Sequence, residues 1–248
     1  MSELKVTNPM TGEVLDTVTL AGAEEVQKMV DLAVAAEENW AATPVYARAE
    51  YLYRFADALE KDAEYISQMS AKDMAKPIVQ ARGETMDGVK LLRAAAERAK
   101  HLYGEVLSDS GPGFEGDLVF TKREPLGVIA CVIPFNFPIE LTFQKIAPAL
   151  VMGNTVLVKA PSANPLAVLA LDKYAKIAGF PEGVLQFFVS DHEAVNEHIL
   201  ANPKVDAISL TGSTAAGKRM VKAGADTLKR TFLELGGNDA LLIFEDAD

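Results

Sequence analysis

From Gly127 onward the chain repeats one unit, a short apolar run bounded by turn residues and then a stretch with helical spacing. The runs are "GVIACVIP", "NTVLVKA", "VLQFFV" and "DAISL", followed by "RTFLEL" and "ALLIF". No other feature narrows the fold as far. Strands apolar along their whole length are buried on both faces, and strands joined through helices run parallel. The unit therefore predicts an α/β fold, a Rossmann-like parallel sheet with helices on both faces. The intervening helices are expected over about 140–152, over 165–178 closed by Gly179, over about 193–200, and from the loop "TGST" to about 225. Crossovers are expected to be right-handed, with ligands gathering at the carboxyl ends of the strands.

The first hundred residues have a different period. Val26, Met29, Val30, Ala33 and Val34 form one apolar stripe on a helix ending near Trp40. Leu52, Phe55, Ala56 and Leu59 repeat the pattern after Pro44, and a third run from Ala81 to Tyr103 carries Val89, Leu92, Ala96 and Ala99. Between these helices and the repeat lies "GEVLSDSGPGFEGDLVFTKREP", whose glycines, prolines and short β-prone pieces predict a protruding hairpin. The expected organisation is a helical segment over 1–103, the hairpin over 104–124 and the α/β core over 125–248.

A net charge of −11 argues against nucleic acid and anionic membranes as partners. No apolar run is long enough to span a membrane, and the first residues lack a signal-peptide core. The lone cysteine, Cys131, excludes a disulfide framework and points to a reducing cytoplasm. Lying within "GVIACVIP", it reads as a buried, inert thiol. His101, His192 and His198 are too scattered to predict a metal site.

The segment Gly212 to Arg219, "GSTAAGKR", matches the phosphate-loop pattern at every position but the last. The missing hydroxyl decides against a nucleoside triphosphatase, because an arginine cannot hold Mg²⁺. A strand before it and a helix after it still make an anion site from backbone N–H groups and the helix dipole. A dinucleotide pyrophosphate on Gly212 and Ser213, needing no metal, suits these residues best; a plain βα turn remains the alternative.

Four stretches, one of them containing this loop, resemble the aldehyde dehydrogenase superfamily in order and spacing: "PFNFP" at 134–138, "GNTVLVKAPS" at 153–162, "SLTGSTAAGK" at 209–218 and "LELGGN" at 233–238. "NPMTGEV", "KPIVQARGE", "KREPLGV" and "AGFPEGV" extend the resemblance over almost the whole chain. It implies NAD or NADP as cofactor and an aldehyde oxidised to a carboxylic acid through a cysteine thiohemiacetal and thioester. Gly212 and Ser213 would meet the pyrophosphate with Phe135 nearby, Lys159 would bond the adenosine ribose, and Ile133 and Pro134 would line the cleft. Asn136 would donate to the oxyanion, and Glu234 would act as general base with Gly236 and Gly237 giving it room. Lys145 would belong to a proton relay. The hairpin would serve a homo-oligomer, a dimer or tetramer. Apart from the resemblance, Asn136 also reads as a turn former, Glu234 as a structural carboxylate and Lys159 as an edge lysine.

The sequence departs from the family pattern in three places. The family's nucleophilic cysteine falls well beyond the glutamate of "LELGG", whereas this sequence runs to Asp248, 14 residues past Glu234 (248 − 234). The chain is therefore expected to be the cofactor-binding half, with an exposed apolar face that promotes self-association. In isolation it also reads as a non-catalytic dinucleotide-binding or subunit-interaction module. Ser162 stands where members preferring NAD carry a glutamate, which implies tolerance of NADP. Ser190 and His192 stand where a glycine pair is usual and are expected to narrow the adenine side of the cleft.

Overall fold

The computed structural model describes residues 2–107, 112, 113 and 115–247, without the side chains of His192 and Asn196. The chain opens with an antiparallel hairpin, β1 (Glu3–Thr7) and β2 (Val14–Thr19), in which Glu3 faces Thr19. Four helices follow: α1 (Ala23–Ala42), α2 (Val45–Lys61), α3 (Ala63–Met74) and α4 (Ile78–Ala99). A short antiparallel pair, β3 (Val106–Leu107) and β4 (Val119–Phe120), forms the base of the expected excursion. Its residues 108–111 and 114 lie outside the described ones.

The α/β repeat then runs β5 (Val128–Val132), α5 (Pro138–Val151), β6 (Thr155–Lys159), α6 (Leu166–Leu169), α7 (Leu171–Ala178) and β7 (Leu185–Phe188). It continues with α8 (His192–Val195), a π-helical turn Asn196–Leu200, β8 (Ala207–Thr211), α9 (Thr214–Gly224) and β9 (Arg230–Glu234). These last five strands form one parallel sheet in the order β7-β6-β5-β8-β9.

Alternation along each strand divides the core in two. Ile129, Cys131, Val156 and Val158 point to a cluster built with Trp40, Phe55, Leu92, Phe143 and Tyr174 from α1, α2, α4, α5 and α7. Val128, Ala130, Leu157, Ile208 and Leu210 point to the other face, against Val26, Val30, Leu200 and Met220. Gly179 ends α7 at φ +82°, a left-handed conformation that a residue with a Cβ rarely adopts.

Several sequence expectations need correction. The first hundred residues are not all helical: β1 and β2 precede α1, and being largely exposed they carry only a weak alternation. The helix expected over 165–178 is two helices, and that over 193–200 ends in a π turn. The third helical run begins at Ile78, earlier than expected, ends at Ala99, and is preceded by an unforeseen α3. "ALLIF" is no strand: Leu241, Leu242, Ile243 and Phe244 are 72–82% exposed, and no described strand lies beyond β9 to pair with them.

Candidate active site and cofactor cleft

The sheet reverses its winding at β5, which pairs with β6 on one side and β8 on the other. Loops leaving β5 and β8 at their carboxyl ends diverge there and leave a crevice, where open α/β sheets bind ligands. The β5 loop carries Ile133, Pro134, Phe135 and Asn136, and the β8 loop carries Gly212 and Ser213. Both of these loop motifs thus flank the switch point.

On the β8 side the loop enters α9. Ser213 caps the helix, its Oγ accepting from the Ala216 N–H at 3.2 Å. The Gly212 N–H donates to the Glu234 carbonyl at 3.0 Å, so the open donors of this loop begin at Ser213. The N–H groups of Ser213, Thr214 and Ala215 take no backbone acceptor among the described residues and remain open donors at the start of the helix. At Gly217, the second glycine of the phosphate-loop pattern, a Cβ would come within 2.9 Å only of the terminal methyls of Leu235, an exposed side chain free to move aside, so packing among the described residues does not demand glycine there.

Beside this helix start lies a cavity of about 370 Å³ lined by Val132, Leu210, Ala216 and Met220, with Lys159 and Arg219 as its charged residues. Lys159 is buried, which lowers its pKa by desolvation, and it donates to Ser162 Oγ at 3.3 Å. The place of Arg219 on this wall depends on helical phase relative to β6, which spacing in the sequence does not display. Ser190 is buried and turned away, its Oγ donating to the Ala21 carbonyl at 2.7 Å, so it does not narrow the cleft. The His192 side chain lies outside the described residues.

The β5 loop is fixed from below. Asn164 Nδ2 donates to the Phe135 carbonyl at 2.9 Å, and Lys76 Nζ donates to the Asn136 carbonyl at 2.7 Å. Asn136 Oδ1 accepts from the Phe137 N–H at 3.1 Å, which leaves the exposed amide nitrogen to donate outward. Phe135 is exposed at the crevice rim, with Pro134 half-buried and Ile133 buried behind it.

The opposite face of the sheet holds the remaining candidates. A cavity of about 340 Å³ is lined by Ile129, Gln144, Lys145, Pro148, Ser209, Phe232 and Glu234. Burial lowers the pKa of Lys145, opposed by the nearby Cys131 and Glu234. Burial pushes the Cys131 thiol up to about 12, so it is no thiolate near neutrality and cannot serve as the nucleophile. A Cβ on Gly237 would meet nothing within 4 Å and one on Gly236 only Thr214 Oγ1 at 4.0 Å, so no described neighbour requires those glycines. A cavity of about 520 Å³ between β2, α3 and α6 contains none of the candidate residues. Among the described residues no group of histidine, cysteine and carboxylates is placed to hold a metal, and no helix is long and apolar enough to cross a membrane.

The aldehyde dehydrogenase family model matches residues 1–248. The chain belongs to the aldehyde dehydrogenase family. A probable succinate-semialdehyde dehydrogenase [NADP(+)] of Sinorhizobium fredii is 35% identical over 244 residues, 98% of this chain and 49% of that protein. Among solved structures, an aldehyde dehydrogenase from Brucella melitensis biovar abortus 2308 superposes with a TM-score of 0.92 at 34% identity, covering 95% of this chain and 48% of that one. A glyceraldehyde-3-phosphate dehydrogenase from Methanocaldococcus jannaschii complexed with NADP gives 0.87 at 32% identity, covering 94% and 51%. The chain spans about half the length of the curated relatives it matches.

Proposed function

We propose that this chain is the cofactor-binding half of an NAD(P)-dependent aldehyde dehydrogenase that oxidises an aldehyde to a carboxylic acid. The observation that carries the reading is the split of the candidate site across the sheet. The Lys159 cavity lies on one face, the Lys145–Glu234 cavity on the other, and the Asn136 and Ser213 loops meet at the strand ends between them. An extended dinucleotide crossing those ends would have its adenosine beside Lys159 and its nicotinamide end toward Asn136 and Glu234.

The cleft fits such a cofactor, with an apolar pocket, free N–H donors at the start of α9 and cationic side chains where an adenosine ribose would lie. When bound, NAD or NADP supplies the hydride acceptor. Ser213 and the first N–H groups of α9 hold a pyrophosphate, with Phe135 at the rim and Ile133 and Pro134 behind. Asn136 donates its amide to the oxygen that becomes negative, a contribution typically worth about 3 kcal/mol of barrier. Glu234 serves as general base, with Gly236 beside it, and Lys145 relays protons from within the wall. The nucleophilic cysteine belongs to a segment beyond Glu234 in sequence.

NADP is the favoured cofactor. Ser162 replaces a carboxylate that would repel a 2′-phosphate, and Lys159 and Arg219 line the same cavity without an acidic residue among its walls. Binding of NADP and NAD, measured by calorimetry for the wild type and for Arg219→Gln, tests this. The substitution is expected to weaken NADP about tenfold and NAD much less, tenfold corresponding to about 1.4 kcal/mol. Equal weakening of both removes the phosphate reading, and binding of neither by the wild type removes the cofactor reading. We further infer a cytoplasmic homo-oligomer, a dimer or tetramer, assembled through the β3–β4 excursion.

The burial of Cys131, the sole cysteine, favours a second reading for the chain alone, a non-catalytic dinucleotide-binding or subunit-interaction module. Aldehyde-dependent NADPH formation by the whole gene product separates the two.

A further inference from the structure

We propose that Lys76, Glu84 and Asn164 form a clamp that aims Asn136, and that Lys76 and Glu84 are positioning residues for the oxyanion donor. The proposal rests on the functional reading of Asn136 above. Lys76 and Glu84 form an ion pair with both side chains almost fully buried. Their remaining capacity is directed at one short segment. Lys76 Nζ donates to the Asn136 carbonyl at 2.7 Å and lies 4.1 Å from the centre of the Phe137 ring. Glu84 Oε1 accepts from the N–H of Ile139 at 2.7 Å and of Glu140 at 3.3 Å. These are donors at the open start of α5, where a carboxylate is favoured. Asn164, itself buried, takes the preceding carbonyl, that of Phe135.

The segment Phe135–Glu140 is thus gripped at two successive carbonyls, at one ring and at two helix-start N–H groups. Asn136 lies inside the grip, and its own Oδ1 is tied to the Phe137 N–H. Its amide nitrogen is exposed and makes no hydrogen bond among the described residues, so it is left to donate to a ligand. A buried ion pair carries a desolvation cost that an apolar pair of similar volume would avoid, so it contributes little net stability. What the charges supply here is direction. The ammonium can only donate, and beyond the ion pair it takes a carbonyl, while the carboxylate can only accept, and beyond the ion pair it takes N–H groups. Together they set the carbonyl before α5 and the N–H groups within it on opposite sides of the same side-chain pair.

The test uses the full-length gene product, selectively labelled with ¹⁵N-asparagine. The Asn136 side-chain NH₂ signals are assigned by their loss in Asn136→Asp. The clamp predicts that Lys76→Met moves them toward random-coil positions and narrows them, whereas Lys76→Arg retains them. Kinetics give the second readout. Lys76→Met is expected to lower kcat about tenfold, a fraction of the 10²–10³ typical for loss of such a donor, with cofactor KM unchanged. In an Asn136→Ala background the same substitution is expected to do nothing further, because the two changes act through one group. Glu84→Gln, which keeps an acceptor for the α5 N–H groups, stands in if Lys76→Met does not fold. Unmoved Asn136 signals, or equal kcat losses in both backgrounds, overturn the clamp. A wild type with no dehydrogenase activity overturns the functional reading instead, and the NMR comparison still decides the clamp.

Discussion

Strands β6 and β9 belong to the same sheet, run in the same direction and are each five residues long, yet they occupy different environments. Every residue of β6 is buried, between β5 and β7 in the sheet and between helices above and below. β9 has β8 on one side only, and its residues alternate between exposed and half-buried. Phe232 in its middle is 52% exposed. Strand character in a sequence reports backbone and side-chain preference; burial depends on what covers the strand. The candidate site reflects the same division. Lys159 at the end of β6 is enclosed and its charge is destabilised by burial, whereas Glu234 at the end of β9 faces outward.

The largest expected effect lies on the enclosed side. Leu157→Ala in β6 removes a fully buried side chain packed against Val26 and Val30 and is expected to cost about 2–5 kcal/mol. Leu233→Ala in β9, where the leucine is only half-buried, is expected to cost less than half as much. Urea unfolding of the two variants measures the contrast, and equal losses would abolish it.

Trp40→Phe probes how α1 is fixed to the same side. The indole Nε1–H donates to the Leu150 carbonyl at 3.0 Å, and the ring stacks edge-on to Tyr51 at 5.3 Å. That carbonyl also accepts from the Gly153 N–H, so it is not left without a partner. The expected loss is therefore moderate, about 1–2 kcal/mol for a neutral hydrogen bond and a small void, read from the same unfolding curves.

A smaller, pH-dependent effect comes from Asp73 at the end of α3. Its Oδ2 accepts from the Leu166 N–H at 2.7 Å, but Oδ1 has no partner among the described residues. Burial raises its pKa to about 6, against the opposing pull of the α6 N–H groups. The folded state thus holds this proton more tightly than the unfolded chain. Its stabilising contribution is complete below the unfolded value of 3.8 and is lost as pH rises through about 6. The stability difference between wild type and Asp73→Asn is expected to shift in favour of the wild type on going from pH 6.5 to 4. A difference that is flat over that window would contradict the assignment.

Much of this was legible in the sequence, for reasons that also explain the omissions. The parallel sheet followed from "GVIACVIP" and its successors because full burial leaves an unbroken apolar run. Gly179 and the helix start after "TGST" were legible because each is a local requirement of one helix end. β1 and β2 escaped because half-exposed edge strands have only a weak period. Lys76 and Glu84 lay in the quoted stretch "KPIVQARGE", but their function is a contact with a loop 60 and 55 residues away, and single-sequence spacing carries no such information. Arg219 escaped for the same reason. "ALLIF" misled because its composition is that of a buried strand while no described neighbour covers it.

The smallest expected effect is also the most direct test of the contrast between β6 and β9. If cover determines burial, Phe232→Thr should leave the stability of this chain within about 0.5 kcal/mol, since threonine, like phenylalanine, favours strands and little packing is lost. Its solubility should rise, because Phe232 and Leu235 are exposed along with the apolar run at 241–244, and clustered exposure of this kind promotes association. Light scattering against concentration reads the second effect and urea unfolding the first. In the full-length gene product the same substitution should become costly, on the order of the 3–5 kcal/mol lost when a buried phenylalanine is truncated, if further sequence packs over β9. A variant equally neutral in both contexts would mean that β9 is an exposed edge in the whole protein as well. The cavity between Lys145 and Glu234 would then lack a wall on the Phe232 side, and the reaction assigned to it would have to be excluded from that face.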